Sequence, residues 1–340
     1  MKLSNFDYDL PEELIAQTPI EPRDHSKLLK LDSKTWKIEE SKFYSIIDEL
    51  SKNDVLVLNK TKVINARLHW KNESWRIVEI FLHKQISEDS WDCLVFPGKK
   101  LKPGRTVTFD LWLEWKIEKI TEAWRIIKFN KSWIDFLKIV EKLWEIPMPP
   151  YIKEKLKDNS RYQTVWSEIE WSVAAPTASL HFTTELLEKI KQKWVKIEKV
   201  LLHVWLWTFM VVKEDNILEH KMHSEYIELE KDVTNRLNEY KKQWKRVIAV
   251  WTTSIRVLES MTDEKWIIHS WKKDTNIFIY PWYKWKFVDA IITNFHLPKS
   301  TLLMLVSSFA WKKYIKKAYE YAVKNKFRFF SFWDAMFIKK

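Results

Sequence analysis

The chain has 340 residues, with 58 Lys plus Arg against 46 Asp plus Glu and a formal net charge of +12 at pH 7. Hydrophobic residues make up 46% and charged residues 31%, which excludes a disordered or fibrous chain and predicts two globular domains with a sizeable core. A single cysteine, Cys93, excludes an internal disulfide and a cysteine-based zinc site and fits a reducing compartment. The basic balance, with a pI near 9.3, suits a polyanionic partner such as RNA. A lysine-rich composition also follows from an AT-rich genome, so charge alone does not choose.

In chain order, Met1-Lys2-Leu3-Ser4-Asn5-Phe6-Asp7 carries no apolar signal region, and a cytoplasmic protein is expected. Leu10 to Ile15 reads as a short helix with Pro11 at its start. Val55-Leu56-Val57-Leu58-Asn59 reads as a buried strand. From about Arg67 to Phe129 the pattern becomes short alternating runs, such as Ile77 to Leu82 and Trp91 to Val95, broken by Pro97-Gly98 and Pro103-Gly104. That spacing predicts a small antiparallel barrel. A helix around Ile134 to Leu143 and the stiff connector Pro147-Met148-Pro149-Pro150-Tyr151 follow.

From about Tyr162 strands and helices alternate. Helices are expected over Glu185–Lys193 and Val233–Lys242, and strands over Lys199–Val204, Arg246–Val250 and Asp289–Asn294. Leu302 to Val306 is the longest apolar run; it is too short to span a bilayer and reads as buried core, so no membrane partner is expected. The fold class is α/β: a layered α/β main domain of residues 1–65 plus 152–340, with an inserted β-barrel domain at 66–151.

Twenty-two tryptophans against two glycines is the anomaly. The indoles stand where glycine belongs: Trp36 in a hairpin turn, Trp194 just past a helix, Trp244 and Trp282 in turns. Most of these positions are therefore expected to be glycine in the organism, encoded by UGA reassigned to glycine and misread as tryptophan. The rival reading is a Trp-rich binding module, but stacking platforms run along a face and these residues follow turn punctuation. Trp91, Trp166 and Trp285 fit their contexts as genuine aromatics, Trp285 as a strand residue alternating with lysines; Trp112, Trp115 and Trp133 are ambiguous.

Val250-Trp251-Thr252-Thr253-Ser254 is a strand–turn–helix, a shape in which the helix N-terminus can hold a polar or anionic group. Thr252, Thr253 or Ser254 serving as the helix cap is the structural alternative. His203-Val204-Trp205-Leu206-Trp207-Thr208-Phe209 becomes H-V-G-L-G-T-F with glycine restored, a weak G-x-G signal at a strand end. Val173 to Phe182 is rich in small residues and ends in His181-Phe182, giving room for a flat ligand or for tight packing. Asn294-Phe295-His296 follows a buried strand, where open α/β sheets bind ligands. The plainer alternative has His296 satisfying loop carbonyls. His220 and His223 with Glu225 make a metal site conceivable, but a third strong ligand is missing and no metal is expected. There is no Walker loop, nucleophile elbow or dinucleotide fingerprint.

Taken together, these segments resemble the S-adenosylmethionine:tRNA ribosyltransferase-isomerase family of queuosine biosynthesis, essentially end to end. The resemblance rests on Phe6 to Gln17, Glu21-Pro22-Arg23-Asp24, Tyr162-Gln163-Thr164-Val165, the V-A-A-P-T-A run through Thr183 and His220 to Glu225. It continues through Ala249 to Ser254, Ile277 to Pro281, Ile292 to Leu302, Arg328 to Ser331 and Asp334-Ala335-Met336. The family has glycine where this chain has Trp36, Trp144, Trp171, Trp205, Trp207, Trp251, Trp282, Trp311 and Trp333. Leu58 to Arg67 departs from the family's L-N-D-T-R-V-I-P-A-R by Lys60 and Asn65, among other positions.

The resemblance implies an enzyme that uses S-adenosylmethionine as a ribosyl donor. Its partner would be tRNA carrying 7-aminomethyl-7-deazaguanine at the wobble position. The products would be epoxyqueuosine-tRNA, adenine and methionine. His181, His203 and His296 are the candidate acids and bases. Thr252, Thr253, Ser254 and Arg256 are the candidate donor or substrate ligands, with Thr177, Thr208, Arg23, Asp24 and Asn294 beside them. A monomer is expected. The alternatives are a non-catalytic RNA-binding protein and an S-adenosylmethionine-dependent methyltransferase.

Overall fold

A computed structural model describes residues 1–63, 67–71, 77–96, 102–108, 113–121, 124–131, 135–136, 138–139, 152, 154, 158–172, 175–204, 212, 214–329 and 332–340. The chain divides into two compact units. The first comprises Met1–Lys62, Pro150–Glu170 and Ala175–Lys340; the second comprises Val63–Pro149 and Trp171–Ala174.

The first unit is built on a nine-stranded mixed sheet. Its first strands are β1 (Lys27–Asp32), β2 (Ile38–Lys42) and β3 (Asp54–Asn59). All six residues of β3 are buried, as a central parallel strand covered on both sides requires. The second unit holds a six-stranded antiparallel sheet of β4 (Arg67–Lys71), β5 (Ile77–Gln85), β6 (Ser90–Phe96), β7 (Thr106–Thr108), β8 (Glu114–Ile120) and β9 (Arg125–Phe129), ordered β4-β5-β6-β9-β8-β7. Among the described residues its edge strands β4 and β7 are not paired with each other, so the expected barrel is seen as an antiparallel sheet without closure. Most of the expected helix near 134–143 lies outside the described residues.

The first unit continues with β10 (Lys196–Leu202), β11 (Glu225–Glu228), β12 (Arg246–Val250), β13 (Lys272–Thr275), β14 (Ala290–Asn294) and β15 (Ala335–Lys339). The sheet order is β13-β11-β10-β3-β12-β14-β15-β1-β2. β10, β3, β12 and β14 are mutually parallel, so their C-terminal ends lie along one edge. Open α/β sheets place ligands beyond such an edge.

Helices α1 (Thr184–Gln192), α2 (Lys231–Lys242), α3 (Trp251–Met261), α4 (Thr301–Phe309) and α5 (Lys312–Lys324) complete the unit. Thr183 caps α1 by accepting from the Leu186 N–H, and Ser300 caps α4 by accepting from Leu303. Leu56, Leu58, Ile248, Val250, Ile292 and Phe337 belong to one core cluster, two apart along their strands as one sheet face demands. Phe43, Phe182, Leu186 and Ile190 belong to the same cluster. The expected short helix at Leu10–Ile15 is a single 3₁₀ turn, Glu12–Leu14, preceded by Pro11.

Backbone geometry separates the tryptophans into two kinds. Seven of the nine non-glycine residues with positive φ among the described residues are tryptophans: 36, 194, 244, 251, 266, 282 and 311. Each L-residue held there costs about 1–2 kcal/mol. Five of them, Trp194, Trp244, Trp266, Trp282 and Trp311, are also 62–92% exposed, so their indoles gain little by burial. Trp91 and Trp166 instead have ordinary backbone and are buried. The Trp166 indole N–H donates to the Asn59 carbonyl at 3.0 Å, and its ring meets Phe182 edge-on at 5.6 Å. Trp285 also packs as an aromatic, edge-on to Phe309 at 4.7 Å, but not in a strand. The buried Glu259 carboxylate takes the N–H groups of Lys286, Phe287 and Val288 that a ladder would use, which makes Tyr283–Phe287 a loop.

Trp194→Gly, Trp244→Gly and Trp282→Gly are each expected to raise stability, by about 1 kcal/mol per site. Trp166→Ala is expected to lower it by about 3–5 kcal/mol. Equilibrium urea denaturation reads both; a lower midpoint for Trp244→Gly contradicts the glycine reading.

Candidate active site

The parallel strands end in polar residues that bind one another. Asn59 closes β3. Its side-chain amide donates to the Leu202 carbonyl at 2.9 Å and to Thr253 Oγ1 at 3.2 Å, and its oxygen accepts from the Leu202 N–H at 3.2 Å. The end of β10 and the start of α3 are thereby tied to the central strand. Just beyond, Thr61 Oγ1 lies 3.1 Å from Nδ1 of His203, the residue that follows β10. The other nitrogen of His203 makes no hydrogen bond among the described residues, and its ring stacks near Tyr226 at 5.8 Å.

Asn294 closes β14 and organises a second cluster. Thr177 donates its hydroxyl to Asn294 Oδ1 at 3.1 Å. Asn294 Nδ2 then donates to His181 Nε2 at 2.9 Å. Nε2 is an acceptor, so the proton sits on Nδ1, which faces Ser26 Oγ at 2.8 Å. Both nitrogens of His181 are therefore engaged. His296 lies two residues past β14. Its Nε2 contacts Thr293 Oγ1 at 3.0 Å, and its Nδ1 is buried without a hydrogen bond among the described residues. Tyr8 donates to its carbonyl at 2.6 Å, and its N–H donates to the Tyr319 hydroxyl at 2.8 Å. Among the described residues the ring serves no loop carbonyl; two tyrosines fix the main chain instead.

Burial dominates the electrostatics. It lowers His296 from the ordinary 6.5 to about 3. It lowers His181 to about 3, with Arg328 adding to the effect. It lowers His203 to about 4, opposed by Glu228. All three imidazoles are neutral at physiological pH. Burial also lowers the Arg256 guanidinium, to about 10. Arg256 ion-pairs with Glu225, while its Nε and Nη2 are buried without hydrogen bonds among the described residues.

Thr252, Thr253 and Ser254 do not cap α3. Val250 is the N-cap and the three stand inside the first turn, because the chain passes directly from strand to helix through Trp251 at φ 71°. All three are buried, and Ser254 Oγ has no hydrogen bond among the described residues. Arg23 donates to the Gln163 carbonyl at 3.2 Å, and Asp24 faces His25 at 3.0 Å. Thr208 lies outside the described residues, as does the rest of 205–211. The conceived His220–His223–Glu225 metal site gives way to ion pairing: Glu225 is taken by Arg256, and His220 Nδ1 by Glu214 at 2.9 Å. No group of three metal-ligating side chains is formed among the described residues. Lys60 pairs with Glu230.

Ser26, Asn59, Thr61, Tyr8 and Tyr319 were not sequence candidates. Asn59 had a readable signal, since a polar residue ending a fully apolar strand points beyond the sheet. The two tyrosines had none, because they act across the fold on a main-chain group.

The fold and the strand-end cluster define a layered α/β protein with a polar edge beyond its parallel strands. Comparison with known proteins is specific. The family described as "Queuosine biosynthesis protein" matches residues 3–338, and the chain belongs to it. It is 51% identical to the S-adenosylmethionine:tRNA ribosyltransferase-isomerase of Halothermothrix orenii, over 99% of this chain and all of that one. It is 49% identical to the enzyme of the same name from Acetivibrio thermocellus, over the full length of both. Among solved structures, an S-adenosylmethionine tRNA ribosyltransferase from Thermotoga maritima is similar, at TM-score 0.55 and 37% identity, over 98% of this chain and all of that one.

The depressed histidines set a pH dependence. Unfolding returns each to 6.5, so below about that pH the unfolded state binds more protons. Their contribution to stability is complete above pH 6.5 and is lost as pH falls towards 4 and then 3. Each can add a slope of up to about 1.4 kcal/mol per pH unit. Urea midpoints should therefore fall between pH 7 and pH 5, less steeply in His296→Gln; an unchanged slope in that variant contradicts the assignment.

Proposed function

We propose that this chain is an S-adenosylmethionine:tRNA ribosyltransferase-isomerase acting in queuosine biosynthesis. It transfers the ribosyl unit of S-adenosylmethionine to 7-aminomethyl-7-deazaguanine at the tRNA wobble position. The unit is isomerised to give epoxyqueuosine-tRNA, with release of adenine and methionine. The observation that carries the reading is identity near 50% with enzymes of that name across whole chains. The net charge of +12 fits a phosphate-bearing partner. In this reading residues 66–151 are a domain inserted into a catalytic domain formed by 1–65 and 152–340. In this reading the unit of action is the monomer.

The chemistry asks for proton transfer at two places. The sulfonium acidifies the adjacent C5′ hydrogens, so a base there forms an ylide, and departing adenine gains from a proton. A neutral imidazole with an open nitrogen can accept a proton, and one whose conjugate acid has a pKa near 3–4 gives it up readily. Among the described residues His203 and His296 each keep such a nitrogen, which supports them as the proton-transfer pair. His181, with both nitrogens engaged, holds Asn294 and Thr177 in place. The first turn of α3, with Thr252, Thr253, Ser254 and Arg256, offers hydroxyl and cationic donors to the donor molecule.

With S-adenosylmethionine and precursor tRNA, adenine and methionine are expected in equal amounts. His203→Gln and His296→Gln should each lower kcat by about 10²–10⁴. Chromatography of the products decides: S-adenosylhomocysteine would indicate a methyltransferase, and tRNA binding without adenine release a non-catalytic binder.

A further inference from the structure

Beside the His181 cluster lies a small recess lined by Arg23, Arg161, Arg328, Thr177, His181 and Trp333, among others. Three guanidinium groups meet there, and no carboxylate lines it among the described residues. The neighbouring acids reach two of the arginines from outside the lining. Glu21 pairs with Arg161 from a mostly exposed position. Asp334 accepts from the main-chain N–H groups of Lys27 at 2.7 Å and Arg328 at 2.8 Å, with Arg328 Nε 3.7 Å away.

Main-chain carbonyls help orient the arginines, and Glu21 and Asp334 offset the charge of Arg161 and Arg328 only in part. Arg23 donates to Gln163 at 3.2 Å, Arg161 to Ile20 at 2.9 Å and Arg328 to Thr18 at 3.5 Å. Arg328 Nη2 is buried and makes no hydrogen bond among the described residues. The charges also act on one another. After burial, Arg161 is the next cause lowering the pKa of Arg23, and Arg328 the next for His181. Half-buried cations facing each other, with an open donor on Arg328 among the described residues, are stabilised by an anion.

We propose that this recess binds one anionic oxygen group, a carboxylate or a phosphate, next to His181. The inference rests on the proposed function, which brings two such groups to the protein. One is the carboxylate of the methionine part of S-adenosylmethionine; the other is the phosphate backbone of tRNA. The recess now has room for little more than a water molecule. The Trp333 indole fills the adjoining volume, with its ring 6.2 Å from that of His296. With glycine at 333 the recess opens towards His296, and the anion site joins one of the proton-transfer candidates.

The test is equilibrium binding to the full chain carrying Trp333→Gly, with and without Arg328→Gln or Arg161→Gln. The probes are S-adenosylmethionine, decarboxylated S-adenosylmethionine and a tRNA anticodon stem–loop over a salt series. A carboxylate site predicts that either arginine variant weakens S-adenosylmethionine by about tenfold or more and leaves the decarboxylated form unchanged. A phosphate site predicts weaker stem–loop binding with the salt slope reduced by about one, and unchanged binding of both small molecules. Either result supports the anion site. Changes below twofold for all probes, or equal losses for both small molecules, overturn it. If the parent chain binds these probes but releases no adenine, the activity reading fails while the recess is still decided by binding.

Discussion

The side-chain amide of Asn59 is the contact on which the site depends. It spans three elements at the end of the central strand: both main-chain groups of Leu202 on β10, Thr253 in the first turn of α3, and β3 itself. The main-chain carbonyl of Asn59 takes the indole N–H of Trp166, which is anchored in the core against Phe182. A buried amide with these partners satisfied has one geometry. Core packing thus reaches the polar edge through a single residue, and His203 and Thr61 inherit their positions from it.

Asn294 does the same one sheet position beyond β12, but its partner is a histidine. The two asparagines divide the labour. One holds a backbone register; the other holds an imidazole in a fixed tautomer. Arginines bring positive charge to this edge. Arg256 meets Glu225, while Arg23, Arg161 and Arg328 stand together beside His181. Neutral imidazoles next to oriented cations make an edge suited to a substrate that brings its own charge, positive at a sulfonium and negative at a carboxylate or phosphate.

The layered α/β class and the strand-end location were legible in the sequence, because buried parallel strands such as Arg246–Val250 and Ala290–Asn294 are continuous apolar runs that end in polar residues. The hairpin at Trp36 and the helix stop at Trp194 were legible as positions needing positive φ, and both have φ of 62°. What escaped was long-range. Trp285 reads as a strand residue locally, but Glu259, 26 positions earlier in sequence, captures the N–H groups that follow it. The cap role open to Thr252–Ser254 failed because the chain enters α3 at Trp251 without a spare residue. Ser26 and Tyr319 reach the histidines across 155 and 23 positions, and nothing local in sequence marks such partners.

The account centres on three neutral, oriented imidazoles at the edge of the sheet. Nitrogen-15 NMR of histidine rings in the labelled full chain reads protonation and tautomer directly. At pH 6 the account predicts that His181, His203 and His296 are all neutral, with His181 protonated on Nδ1. An imidazolium signal from any of the three at that pH, or a His181 proton on Nε2, would contradict it.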